Sequence, residues 1–137
     1  ERMMDVMKKI FVCSPYSGNI EQKTKRAAFA AKVICNCGDL PIVPHLYFPR
    51  FLNENDPYER IRGIEYGIEL MKCCDQLWLL GPEISRGMEY ELKAAKEIRI
   101  PVILYDEELR RINPKTLILD ERIDDRSLGI LKSIDYK

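Results

Sequence analysis

The sequence predicts an α/β protein: one Rossmann-like, or flavodoxin-like, domain with a parallel sheet of four to five strands flanked by helices. Short apolar runs recur at residues 10–13, 41–44, 76–80 and 101–105, as in strands that are buried on both faces. Longer segments with apolar residues three and four positions apart separate these runs, which is the spacing of amphipathic helices. Strands and helices that alternate in this way form a parallel sheet with right-handed crossovers.

The first two strand and helix units are punctuated by turn residues. After the strand over residues 10–13, a loop leads into a helix over 20–37, which Gly38 ends. After the strand over 41–44, an irregular aromatic and proline-rich stretch precedes a helix over 57–74, for which Asp56 followed by proline is a typical start.

The third unit is the clearest. A strand over 76–80 ends at Gly81, Ser85 can cap a helix that continues to residue 98, and a fourth strand covers 101–105.

Beyond the fourth strand the pattern weakens. A short helix is predicted over 107–112, residues 116–119 are a candidate fifth strand, and 120–137 is charged and only locally helical. We expect residues 8–137 to form one domain, and residues 1–7, which lack signal-peptide features, to be an N-terminal extension or a cloning remnant.

Charge and hydropathy exclude several classes of partner. Lys and Arg together number 22, as do Asp and Glu, so the formal net charge is zero and no strong field attracts a nucleic-acid polymer or an anionic bilayer. The apolar runs are far shorter than the roughly 20 residues of a membrane helix. A small molecule is the expected partner.

The cysteine pattern indicates a reducing, cytoplasmic location. The count is five, and most lie inside apolar segments. They are Cys13, Cys35, Cys37, Cys73 and Cys74. Together with the single histidine they do not give four ligands at the spacing of a zinc site, and we expect no metal and no other cofactor.

Ligands of open parallel sheets bind outside the carboxyl ends of the strands, which directs attention to three loops. The loop over 14–19 offers hydroxyls and a phenol before a helix, and could hold a phosphate or sugar hydroxyl or be an ordinary turn. In the loop over 45–56, His45 could bind a phosphate or a base edge, or satisfy local backbone groups. Its aromatic residues could stack on a flat ring or belong to the core.

The loop over 81–87 leads into a helix with two early carboxylates, Glu89 and Glu91. Acidic residues there often only complement the helix dipole. The two positions are two residues apart and point in different directions. Glu91 lies three residues after Met88 and four before Ala95, near the inner face of this helix. A carboxylate is unexpected on that face unless it has a function.

Four segments carry a family resemblance: residues 13–18, 44–48, 55–57 and 74–91, the last ending in Gly87-Met88-Glu89-Tyr90-Glu91. Together they resemble a phage and bacterial group of the nucleoside 2-deoxyribosyltransferase-like superfamily that is related to deoxynucleotide N-hydrolases. The resemblance covers about residues 9–105.

The resemblance implies cleavage or transfer of the N-glycosidic bond of (deoxy)nucleosides or nucleoside 5′-monophosphates. Glu91 is the implied nucleophile, since a carboxylate can stabilise or trap an oxocarbenium-like state, and Tyr16 is the phenol that orients it. The implied substrate-binding residues lie in the three loops and at the start of the third helix. They are Ser14, Pro15, Ser17, Gly18, His45, Tyr47, Asp56, Gly81, Ser85, Gly87 and Met88.

The sequence departs from the family pattern at Gly67, where relatives carry an aspartate that protonates the leaving base. Nearby candidates for that acid are Asp56, Glu65 and Glu69, and a readily leaving base could need only solvent. Without an acid the chain would be a slow enzyme or, as the alternative function, a non-catalytic nucleotide-binding sensor. A third possibility is a purely structural or interaction module.

We also expect a homo-oligomer, at least a dimer, with the second helix and residues 45–56 near the interface. Tyr47, Phe48, Phe51 and Leu52 follow closely in one loop, and exposed apolar patches of this kind mark contacts. Relatives commonly complete their pockets from a neighbouring subunit. Asp120 or Glu121 of the partner could then supply the acid.

Overall fold

A computed structural model describes residues 6–15 and 19–137. Its main sheet has four parallel strands, β1 (Lys9–Cys13), β2 (Leu40–Ile42), β3 (Gln76–Leu80) and β5 (Val102–Tyr105). They lie in the order β2-β1-β3-β5. A separate pair of short parallel strands is formed by β4 (Glu83–Ile84) and β6 (Ile118–Leu119). The predicted parallel α/β fold is confirmed.

The described residues form four α-helices, α1 (Ile20–Asn36), α2 (Pro57–Met71), α3 (Arg86–Ile98) and α4 (Asp125–Lys132). Side-chain oxygens of Asn19, Asp56, Ser85 and Asp124 accept hydrogen bonds from backbone N–H groups in the first turns of these helices. Such caps satisfy donors that have no partner within a helix. None of the helices in the described part of the chain is long and apolar enough to cross a membrane.

The sheet separates two apolar cores, because successive side chains of a strand point to opposite faces. Ile10 and Val12 of β1 pack with Ala30 and Ile34 of α1. The other face of β1 and β3 packs against α2, α3 and α4. The residues of that second core that matter for the site are Phe11, Cys13, Leu79, Met88 and Leu92. The side chain of Cys13 therefore lies on the α3 face.

The predicted helix over 107–112 is wrong. The Asp106 carboxylate accepts hydrogen bonds from the backbone N–H groups of Glu108 and Arg110, both at 2.9 Å, and Leu109 has a positive φ of 59°. Arg111 then forms an antiparallel bridge with Tyr105. A turn held by the side chain of Asp106 has replaced the helix, since Asp competes well for nearby backbone donors.

The candidate fifth strand shortens to two residues and lies outside the main sheet. β6 pairs with β4, and Ile118 donates its N–H to the carbonyl oxygen of Pro82. The end of the chain runs beside β5 instead, where Tyr136 bridges to Val102. The second strand also ends earlier than predicted, at Ile42, because Pro44 begins a 3₁₀ turn.

Candidate active site

A cavity of about 360 Å³ opens beyond the carboxyl ends of the strands, between α2 and the first turns of α3. Its size suits a small molecule. The wall contains seven residues that are ionised or can titrate: His45, Glu54, Glu59, Arg60, Arg86, Glu91 and Arg122.

Glu91 is the buried carboxyl of this wall. It is only 8% exposed, and burial raises its pKa from 4.5 to about 8. The polar thiol of Cys13 lowers the pKa of Glu91 and partly opposes the effect of burial. A carboxyl with a pKa near 8 and access to a cavity is typical of functional sites.

His45 connects β1 to the same carboxyl. Its Nε2 lies 3.9 Å from Glu91 Oε1, and its Nδ1 lies 3.5 Å from the hydroxyl oxygen of Ser14. Burial lowers the pKa of His45 to about 4, so the imidazole is neutral at physiological pH. A neutral ring has one N–H donor and one acceptor, which allows it to link the hydroxyl and the carboxyl.

The neighbouring carboxylate, Glu89, has a different environment. It is as buried as Glu91, but its Oε1 forms an ion pair at 3.1 Å with Lys93 one turn later, and it does not line the cavity. The prediction from their two-residue spacing, that only one carboxylate faces the pocket, agrees with this placement.

The start of α3 brings backbone N–H groups to the cavity. Ser85 caps the helix by accepting from the N–H of Met88, and both residues line the wall with Arg86 and Gly87. A Cβ on Gly87 would meet only the Ser85 hydroxyl, at 3.9 Å. Arg122 reaches this end of the cavity from beyond β6. Positive groups and a helix N-terminus favour the anionic part of a ligand here.

The comparison with protein families agrees with the extent of the predicted resemblance. A family model described as a domain of unknown function, DUF7768, matches residues 8–105. The chain belongs to the DUF7768 family. The matched region contains β1 to β5 and α1 to α3, and with them nearly the whole cavity wall.

Two solved structures share the fold of this DUF7768 protein. One is a 2-deoxyribosyltransferase from the psychrotolerant bacterium Bacillus psychrosaccharolyticus, with 18% identity over 93% of each chain and a TM-score of 0.59. The other is a conserved protein from Enterococcus faecalis V583, with 18% identity over 96% of this chain and 90% of that one, and a TM-score of 0.60. No curated protein matches the chain. At this identity the likeness shows a Rossmann-like fold related to that of the transferase.

The DUF7768 cavity brings together five of the predicted site residues, from the second and third loops. They are His45, Ser85, Gly87, Met88 and Glu91. Ser14 is buried behind His45 and contacts it, and Pro15 is buried beside Ser14. The predicted roles of Tyr16, Ser17 and Gly18 concern residues outside the described part of the chain.

Three other predicted residues do not appear in the cavity wall. Tyr47 is 60% exposed and packs edge-on against Phe51. Asp56 caps α2 through the N–H groups of Tyr58 and Glu59. Gly81 fills a tight contact in which a Cβ would meet Leu104 at 3.1 Å. Local structure explains the placement of all three residues, and a substrate-binding role for them stays a prediction.

The candidates for the missing acid also lie elsewhere. Asp56, Glu65 and Glu69 are absent from the described wall, because the face of α2 toward the cavity carries Glu59, Gly63 and Gly67, spaced four residues apart. A Cβ on Gly67 would have no atom within 4 Å. Position 67, where the resemblance predicts an acid, is thus an open space in this chain.

Sequence reasoning missed Glu54, Glu59 and Arg60 as members of the wall. Burial raises the pKa of Glu54, while the Glu59 carboxylate accepts the backbone N–H of Asn53 at 3.2 Å. Gly63 and Gly67 were the signal in the sequence that could have identified this wall. Two glycines four residues apart leave one face of a helix without side chains, where a ligand can approach. Within the described residues no group of three or more His, Cys, Asp or Glu side chains is arranged to hold a metal ion.

Proposed function

We propose that this DUF7768 protein cleaves or transfers the N-glycosidic bond of a nucleoside or nucleoside 5′-monophosphate, with Glu91 as the nucleophile. The observation that carries the proposal is the buried Glu91 carboxyl at the wall of a cavity of about 360 Å³. The fold shared with a 2-deoxyribosyltransferase supports it. We extend to this chain the superfamily membership that its motifs suggest.

In the proposed reaction a Glu91 oxygen attacks C1′ of the sugar, and the bond from C1′ to the base nitrogen breaks. The base leaves with the bonding electron pair and takes up a proton. The glycosyl ester then reacts at C1′ with water or with a second base, which restores the carboxylate. The attacking form is ionised, and the positive charge that develops on the sugar favours that form in spite of the raised pKa of Glu91.

The two ends of the cavity suit the two ends of a nucleotide. The start of α3, with Ser85, Arg86 and Arg122, suits a 5′-phosphate or a 5′-hydroxyl. The open space at Gly67 of α2, one turn after Gly63, leaves room for the base. Glu54 lies on the same wall, and its raised pKa makes it a candidate donor to the leaving base.

The open space at Gly67 favours a second function, a nucleotide-binding sensor without turnover. General acids contribute about a hundred- to ten-thousandfold to such reactions, so a chain that lacks one could bind its ligand and react slowly. In that case Glu91 would serve as a hydrogen-bonding group for the ligand.

Release of free base distinguishes the two functions. Purified protein is incubated with a panel of deoxynucleosides, ribonucleosides and their 5′-monophosphates, and free base is measured by chromatography. The glycosidase proposal expects release that Glu91→Gln abolishes. Binding by calorimetry with no release from any member of the panel would overturn it and support the sensor.

A further inference from the structure

The side of the cavity formed by α2 and the loop before it, which we call the α2 side, is acidic and aromatic. Glu54 and Glu59 line it with a single arginine, Arg60, so carboxyls exceed guanidinium groups on this side. Phe48 lines it as well, and the centroid of its ring lies 5.7 Å from that of Tyr66 in α2. Carboxylates and an aromatic face attract a flat cation.

The start of α3 gives the other side of the cavity the opposite charge. Arg86 and Arg122 line it, and Asp120 holds Arg122 by accepting its Nε–H and Nη2–H at 3.0 and 2.8 Å. The N–H of Asp120 donates to the carbonyl oxygen of Ile84, which fixes this pair beside the helix start. Asp120 offsets part of the charge of Arg122, and Arg86 adds a full positive charge. The two sides therefore suit a ligand with a cationic ring and an anionic phosphate.

The inner turns of α2 offer no acid in the described part of the wall. They present Gly63, Ile64 and Gly67, one and two turns after Glu59. Glu54, the candidate donor to a neutral base, lies on the loop before α2. A neutral base leaves slowly without a proton donor. A base whose glycosidic nitrogen is positively charged leaves as a neutral molecule and needs no proton.

The buried Glu91 carboxyl has a neutral neighbour. Its ion-pair contact among the described residues is with His45 at 3.9 Å, and burial lowers the pKa of that imidazole to about 4. A cation bound beside Glu91 would supply the positive charge that the imidazole does not carry. It would thereby favour the ionised form of the carboxyl, which is the form that attacks.

We propose that the substrate is a nucleotide whose base carries a fixed positive charge on its glycosidic ring, as an N-alkylpyridinium does. This inference rests on the proposed function. Glu91 attacks C1′, the bond from C1′ to the ring nitrogen breaks, and its electron pair neutralises that nitrogen, so the base leaves uncharged. Water then attacks C1′ of the glycosyl ester, which restores the Glu91 carboxylate and releases one proton to solvent.

Binding tests the charge preference without turnover. Calorimetry compares nicotinamide riboside 5′-monophosphate with its reduced dihydro form, which has a similar shape and a neutral ring. We expect the cationic nucleotide to bind roughly tenfold more tightly, because the carboxyls and Phe48 favour it. Glu59→Gln keeps an acceptor for the N–H of Asn53 and should narrow this difference by roughly two- to fivefold. Glu97→Gln, at an exposed carboxylate outside the described wall, is the matched control and should leave the difference within roughly twofold.

Base release tests the chemistry. It is measured on 7-methylguanosine 5′-monophosphate, which has a cationic base, and on guanosine 5′-monophosphate, each as ribo- and 2′-deoxyribonucleotide, with uncatalysed release subtracted. We expect the cationic base to be released at least roughly a hundredfold faster, in a reaction that Glu91→Gln abolishes. Gly67→Asp should reduce this ratio by roughly tenfold or more, because the new acid assists the neutral base. Gly67→Asn, which adds the same bulk without an acid, should not reduce it.

Equal affinity for the two nicotinamide nucleotides would overturn the inference, as would release of guanine at the rate of its methylated form. Both comparisons use the unmodified protein, so they hold even where thermal unfolding shows that a variant fails to fold. Release from neutral-base nucleotides alone supports the proposed function and refutes this inference. Absence of release from every nucleotide refutes the proposed function, and the binding comparison then decides whether the cavity selects a cationic base.

Discussion

His45 Nε2 and Glu91 Oε1 lie 3.9 Å apart, yet burial acts against an ion pair between them. It lowers the pKa of His45 to about 4 and raises that of Glu91 to about 8, so near neutral pH both groups favour their uncharged forms. Distance alone would suggest a salt bridge, but desolvation outweighs the attraction between two such groups. Glu91 therefore favours its protonated form near neutral pH, and in the proposed reaction this proton must leave before the carboxylate attacks.

Replacement of Glu91 by Gln should abolish base release and leave folding and ligand affinity within a few-fold, because the amide keeps the shape and removes the nucleophile. Glu89→Gln is the matched control. It removes the ion pair with Lys93 and changes no residue of the cavity wall, so its effect on base release should be mild. Kinetic assays of both variants check this, and an exchange of their effects would mean that the motif is misaligned by two residues.

The stability of the protein should depend on pH through Glu91. The pKa of this group is raised from 4.5 to about 8 by folding, so its stabilising contribution is complete below pH 4.5 and is lost as the pH rises through about 8. Relative to Glu91→Gln, the free energy of unfolding of the unmodified protein should fall by about 1.4 kcal/mol per pH unit in that window. Urea unfolding at several pH values measures the difference, and a constant difference from pH 5 to 8 would show that Glu91 has an ordinary pKa.

An aspartate at Gly67 should accelerate base release. No atom lies within 4 Å of a Cβ at this position, which lines the cavity, so a side chain can be added without a clash at Cβ and its carboxyl can protonate the leaving base. We expect a gain of at least roughly tenfold, within the range of general acid catalysis. Gly67→Asn has the same size and no acid, and an equal gain in that variant would attribute the effect to packing.

All five cysteines should be reduced and alkylatable after unfolding, as the predicted cytoplasmic location requires. Each is free in the structure, with Cys13 buried and the other four at least partly accessible. Mass spectrometry under non-reducing conditions, with and without denaturant, should find five modified thiols in unfolded protein and Cys13 protected in the native state. A native disulfide would contradict the proposed location.

The protein should be at least a dimer, with α2 in the interface. Tyr58 and Ile61 of α2 are 80% and 54% exposed, and Phe51 of the 45–56 loop is 53% exposed. Light scattering should give a multiple of 16.0 kDa, which Ile61→Glu reduces. Phe29→Glu, at a similarly exposed residue of α1, is the control, and a mass of 16.0 kDa for the active protein would refute the interface.

Asp120 of a partner subunit is a poor candidate for the general acid. The Arg122 guanidinium holds this carboxylate at 2.8 Å and lowers the pKa of Asp120 to about 2, so it carries no proton near neutral pH. Glu54 and an aspartate introduced at position 67 are the better places to look for the donor.

The sequence by itself determined the order of strands and helices and the placement of Glu91, and not Glu89, near the inner face of α3. Both depend on local periodicity: apolar runs specify buried strands, and positions 88, 91 and 95 specify one face of α3. It also placed His45 and the start of α3 at one edge of the sheet, because the carboxyl ends of parallel strands all lie there.

Only the tertiary structure decided the partners of these residues. His45 lies 3.9 Å from Glu91 although the two residues are distant in the chain, and the desolvation that shifts their pKa values depends on what packs over them. The turn at Asp106 replaced a predicted helix because a side-chain carboxylate took the backbone donors. The bare face of α2 at Gly63 and Gly67 became a cavity wall only because α3 packs opposite it, leaving a space that no local pattern specifies.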